Sequence, residues 1–127
     1  MRRARVPRRL TVGRTVWLWS VGHLHPECHE ILTVRRADAR HAQLRLVFRA
    51  GAGRPVAGAY RSSGLLGDAH DNTLNLHEPG VVLRFLEEAG SRGLLPDAHG
   101  MAEADGWPLF DAIVRDLGSG PAAGTPQ

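Results

Sequence analysis

The sequence predicts an α+β fold, an antiparallel β-meander of four to five strands followed by two helices packed on one face. Three observations carry this. Strand-like runs are confined to residues 9–49, apolar residues at helical spacing occur only beyond residue 79, and the stretch between, 50–77, is rich in Gly, Ala, Ser and Asp. Strands first and helices later is the order of an α+β domain, because no helix is available to cross over between the early strands.

The elements follow in order. Residues 10–12 and 15–21 flank Gly13-Arg14, a pair that suits a tight turn. Residues 31–36 and 43–49 flank a five-residue connection, Ala37-Asp38-Ala39-Arg40-His41. In the later strand Leu44, Leu46 and Phe48 share one face, while Arg45 and Arg49 take the other, so that strand has a wet side. The strand around Trp17 has apolar residues both ways, Val16 and Leu18 against Trp17, Trp19 and Val21. It therefore needs cover on both faces, as a central strand or one that meets a loop or a second subunit. Short strands are expected near 56–60 and 73–76. Pro79 suits the first turn of a helix whose stripe is Val82, Phe85, Leu86 and Ala89, stopped by Gly93 with Leu94 packing back and Pro96 beyond. A second helix spans 107–117, capped by Asp105, with Phe110, Ile113, Val114 and Leu117 as its stripe and Gly118 at its end.

The stretch Asn75-Leu76-His77-Glu78-Pro79-Gly80-Val81-Val82, with Asp105-Gly106-Trp107 further on, resembles a pattern in small uncharacterised bacterial α+β proteins. The resemblance covers the C-terminal half of the chain and implies no activity.

A chain of 127 residues suggests one domain, and a hydrophobic fraction of 43% supports one core. The expected organisation is a basic flexible arm over 1–8, a single domain over 9–117 and a flexible tail over 118–127. All 16 basic side chains are Arg. Six of them, Arg2, Arg3, Arg5, Arg8, Arg9 and Arg14, fall within the first fourteen residues, which leaves ten arginines against 13 acids, a net −3, on the rest. The basic arm can attract phosphate or an anionic surface, but few aromatics stand among the arginines, which weighs against nucleic acid as a partner. One cysteine makes no internal disulfide and no run is long enough to span a membrane, so the expected location is cytoplasmic.

The densest chemistry is His23-Leu24-His25-Pro26-Glu27-Cys28-His29. His23, His25, Cys28 and His29 are the candidate metal ligands, since zinc or another transition metal accepts imidazole and thiolate together and His25-x2-Cys28 has half-site spacing. Completion from His70, His77 or His99 would be needed. The second polar concentration, His70, Asn75, His77 and Glu78, precedes the first helix, where free backbone N–H groups attract anions. Several motifs fail: Gly51-Ala52-Gly53 lacks a third glycine and a helix, His77-Glu78 lacks a second His at 81, and Ser62-Ser63-Gly64 is no nucleophile elbow.

The leading expectation is a small soluble, non-enzymatic binding or interaction protein. Its site is the long loop and the start of the first helix, its ligand a protein or small anion, and its dimer contact the Trp17/Trp19 face. The alternatives are a metal-binding His/Cys module or metal-dependent enzyme, and a weak nucleic-acid binder acting through its arm.

Overall fold

Gly13 opens the sheet. Its φ of 62° lies in the left-handed region, which glycine enters without a Cβ clash, and the Gly13-Arg14 turn folds β1 (Arg8–Val12) back along β2 (Thr15–Leu24). The computed structural model describes residues 7–24, 29–49, 51, 65–67, 72–96 and 100–119. β3 (His29–Arg36) and β4 (Ala39–Phe48) extend the antiparallel meander. Their connection is two residues, Ala37-Asp38, where five were expected. The Arg36 guanidinium explains the tighter turn, donating to both Asp38 carboxylate oxygens at 3.0 Å, while the Ala37 N–H donates to the Val16 carbonyl at 2.9 Å. A register shift between Arg35 and Arg36 absorbs the offset.

β5 (Leu65–Gly67) and β6 (Thr73–Asn75) form a separate two-stranded sheet that sends Leu66 and Leu74 into the core. β6 matches the strand expected at 73–76, β5 was not foreseen, and the strand expected at 56–60 lies outside the described residues. α1 (Pro79–Ser91) follows, then β7 (Gly100–Asp105) and α2 (Trp107–Ser119).

The α+β fold is as expected, a mostly antiparallel sheet with two helices packed on it, and β7 is its one departure from a simple meander. The five-stranded sheet has the order β1-β2-β3-β4-β7, and β7 lies parallel to β4, which requires a crossover connection in place of a hairpin. Strand alternation puts Trp17, Trp19 and Val21 of β2 on one face with Leu32 and Val34 of β3 and Leu44, Leu46 and Phe48 of β4, and both helices pack over that face. Trp17 is 7% exposed and Trp19 1%. The Trp17/Trp19 face expected to meet a second copy is thus buried in the chain's own core, which leaves a dimer contact no area there. β2 does sit between two strands, as its two apolar faces require.

The helix ends follow their sequence signals. At the end of α1 the Leu94 N–H donates to the Ala89 carbonyl (2.9 Å) and the Gly93 N–H to that of Gly90 (3.1 Å), with Gly93 at φ 71° and Leu94 packed on the core. At the start of α2 the Asp105 carboxylate accepts the Trp107 N–H at 3.1 Å. Gly106 donates to the Val47 carbonyl at 2.9 Å, and a Cβ on it would lie 2.3 Å from the Phe48 ring. The Trp107 indole donates to the Arg49 carbonyl at 2.9 Å, so Asp105-Gly106-Trp107 welds α2 to the end of β4. Phe48 meets Phe85 and Trp107 edge to face, with ring centroids 5.5 and 5.4 Å away. Among the described residues no helix is long and apolar enough to cross a membrane.

Candidate functional site

Three places concentrate polar side chains. The first is the start of α1. Here the Asn75 side-chain oxygen accepts the His77 N–H at 2.9 Å and the Asn75 carbonyl accepts the Glu78 N–H at 3.0 Å, a side-chain-closed turn that delivers the chain into the helix. Glu78 is the N-cap in extended conformation, without a side-chain cap bond, and its carbonyl accepts from Val81 and Val82. His77 is half-buried and its carbonyl accepts from Arg8 Nη1 at 2.7 Å. The Arg8 guanidinium also lies over the Trp19 ring, 4.6 Å from the centroid. Asn75, His77 and Glu78 are thus brought together as expected, but Asn75 and the backbone of Glu78 are committed to building the helix start. His70 lies outside the described residues. Arg8 belongs to β1, one residue inside the stretch expected to be a free arm.

The second is the β2–β3 end. His23 is paired in register with Glu30, and its Nδ1 meets the Glu30 carboxylate. Glu30 is 0% exposed, the only buried charged residue among those described. It shares the face of Leu32 and Val34, beside Phe48 on the neighbouring strand, so the pair closes the end of the apolar core. His29, one position from Glu30 and opposite Leu24, points to the other face of the sheet. Alternation therefore separates His23 and His29, two of the expected metal ligands, while His25 and Cys28 lie outside the described residues. Among the described residues no three His, Cys, Asp or Glu side chains are grouped to hold a metal. Sequence reasoning passed over Glu30. Its signal was present, since alternation back from Val34 and Leu32 puts residue 30 on the core face.

The third place is the face of the sheet that carries no helix among the described residues. Arg9 of β1, Leu18 and Ser20 of β2, Thr33 and Arg35 of β3, and Gln43 and Arg45 of β4 share it by register. Pro7, Leu18, Trp19, Ser20, Thr33, Arg35 and Gln43 line a depression of about 170 Å³. Ile31 and Val47, paired at one end of the face, are buried, whereas the β1 side stays open. Among the described residues no carboxylate lies within ion-pair distance of Arg9, Arg35 or Arg45. Glu103 and Asp105 stand on the β7 side, Glu103 opposite Arg45 in register. The wet side of β4 was legible in the sequence; that Arg9 and Arg35 join it depended on pairing.

The chain matches no protein-family model, no curated protein and no solved structure.

Proposed function

We propose that the protein is a non-enzymatic binding protein that holds an anionic ligand against the open face of its sheet. The observation that carries this is a polar depression lined by Arg35, with Arg9 and Arg45 on the same face of the sheet, no carboxylate within ion-pair distance of the three among the described residues, and Glu103 beside Arg45 in register. A guanidinium held on a strand is a fixed fork of donors for phosphate, sulfate or carboxylate. Ser20, Thr33 and Gln43 add hydrogen-bonding groups beside it. The lining holds no histidine, cysteine or carboxylate, the side chains that most often move protons or attack substrates, so it is equipped for recognition. At about 170 Å³ the depression is smaller than pockets that engulf a drug-sized ligand, so a ligand lies across the face and presses one group into it.

The test is elution from a heparin resin. The Arg35→Gln/Arg45→Gln variant should elute at clearly lower salt than an Arg14→Gln/Arg84→Gln variant, which removes equal charge from exposed positions away from the face. Equal elution of the two would show that total charge governs retention and would remove the face as a site.

A further inference from the structure

Resting on that reading, we infer that the anion is a dianion, the phosphate monoester group of a small polar molecule, seated in the depression among Ser20, Thr33, Arg35 and Gln43 with Arg9 at its rim. Strand register sets the frame. Leu18, Arg35 and Gln43 follow one another in a row across β2, β3 and β4, and Ser20 and Thr33 are paired in the next row. Taken in the order Ser20, Thr33, Arg35, Gln43, each side chain therefore rises from a base about 5–7 Å from the next. All four are half-buried, and among the described residues none has a hydrogen-bond or ion-pair partner. The main chain adds no donor here, because β2 and β3 are each paired on both sides and spend their N–H groups in the ladders. What the depression offers is a guanidinium fork, two hydroxyls and a carboxamide on two adjoining rows. A tetrahedral phosphate, accepting bonds of about 2.7–2.9 Å on several sides, meets donors in both rows. A planar carboxylate is satisfied by the fork and leaves the hydroxyls of the next row without a partner.

Charge sets the valence of the anion. Arg35 lines the depression and Arg9 stands in the same row, with Leu18 alone between them. Their bases are about 10 Å apart, a gap that two long side chains leaning together can close. Neither has a carboxylate within ion-pair distance among the described residues. Arg45 faces Glu103 in register, so the two add no net charge. Two uncompensated guanidinium groups match two negative charges, and a monoanion would leave one of them unmatched.

The surroundings limit the rest of the ligand. A cavity of about 150 Å³ holds a molecule the size of benzene, so the depression, at about 170 Å³, takes a phosphate and a short body resting on Leu18 and Pro7. Trp19 borders it, but that ring is packed in the core at 1% exposure, and no other aromatic side chain described stands on this face to stack on a nucleobase. A peptide would look for free main-chain groups to pair with, and the ladders of β2 and β3 leave none. A bilayer would look for apolar side chains among the arginines, and the large one exposed here is Met101, beyond Gln43.

The experiment is isothermal titration calorimetry of the full chain with glycerol 3-phosphate, inorganic sulfate and acetate at about pH 5 and about pH 7. The ionisable side chains described on this face are Arg9 of β1, Arg35 and the distant His29 of β3, Arg45 of β4, and Glu103 and Asp105 of β7. Sulfate keeps both its charges over this range, so the ratio of the two affinities cancels any titration of these groups. A phosphate monoester loses its second proton near pH 6, so its affinity relative to sulfate should rise up to about 10-fold between the two pH values, and acetate should bind weakest. Arg35→Gln should weaken binding about 10- to 100-fold and Thr33→Val about 2- to 10-fold. Arg9→Gln should shrink the rise with pH, Arg84→Gln should change nothing, and each variant is checked for an unchanged circular dichroism spectrum. Acetate binding as tightly as glycerol 3-phosphate, a ratio to sulfate that ignores pH, or full affinity in Arg35→Gln overturns the inference. A phosphoserine peptide that binds far more tightly than glycerol 3-phosphate overturns the small-molecule ligand. Heparin retention that depends on Arg35 and Arg45 without glycerol 3-phosphate binding overturns the phosphate monoester and leaves the anion-binding face standing. Loss of both removes the two together.

Discussion

Replacing His23 by alanine strips the Glu30 carboxyl group of its cross-strand partner at a position with no solvent contact. Breaking a buried pair by removing one member costs about 3–5 kcal/mol, because the other stays buried and loses that contact. For a chain of this length a loss of 1 kcal/mol lowers the melting temperature by about 3–5 °C, so His23→Ala is expected to melt about 10–20 °C below the parent. The geometry also predicts non-additivity. His23→Leu/Glu30→Leu fills the same space with apolar groups beside Phe48 and should recover most of the loss, since buried pairs replaced whole are often neutral. Urea unfolding followed by tryptophan fluorescence measures this, with Trp19 on the same core face as reporter and an unchanged m-value as the sign that the native fold persists. A loss below about 1 kcal/mol in His23→Ala, or simple addition of the two single losses, would refute the pair as a core-closing contact. Repeating the melts with zinc tests the metal expectation: a melting temperature that rises with zinc, and no longer does so in His25→Ala/Cys28→Ala, would restore His23 as a ligand.

Gly106→Ala should cost about 1–3 kcal/mol, since its Cβ falls 2.3 Å from a Phe48 ring already held between Phe85 and Trp107. Gly90→Ala, whose Cβ would meet only Leu95 at 3.5 Å inside α1, should gain about 0.4–1 kcal/mol, and paired denaturant melts check both. Deleting residues 1–7 should leave stability unchanged, whereas Arg8→Ala should lose about 1–2 kcal/mol with its bond to the His77 carbonyl and its contact with Trp19. Equal stability of the two would show that Arg8 is no clasp.

The parts of the fold legible in the sequence are those set by local rules. Alternation in β4, the Gly13 turn, Pro79 and Gly93 at the ends of α1, and Asp105 before α2 each act within a few residues. β7 was illegible for the opposite reason. Gly-Met-Ala-Glu-Ala-Asp is composed largely of helix formers, and it is a strand because the open edge of β4 offers it hydrogen bonds, with Ala102 and Ala104 small enough to fit against the core. The same holds at the sites. That Asn75, His77 and Glu78 gather was readable from proximity, but the Asn75 bond that commits it to the turn was not. The grouping of Arg9 with Arg35 needed the register of three strands, and so did the meeting of His23 with Glu30.

The parallel seam between β4 and β7 has a consequence for the order in which the chain acquires structure. β1, β2 and β3 each pair with their immediate successor, so the meander can form from local contacts, whereas residues 42–47 must wait for residues 100–105. Closing so long a loop is slow relative to hairpin formation. During synthesis the emerging chain therefore presents β4 as a bare edge, with Leu44, Leu46 and Phe48 still lacking α2. An edge of this kind invites pairing with another nascent chain. Gln43 and Arg45, which alternate with those apolar residues, place a polar and a charged side chain on that same edge while it waits. Arg45, on the polar face of the finished sheet, thus also guards the chain before β7 arrives.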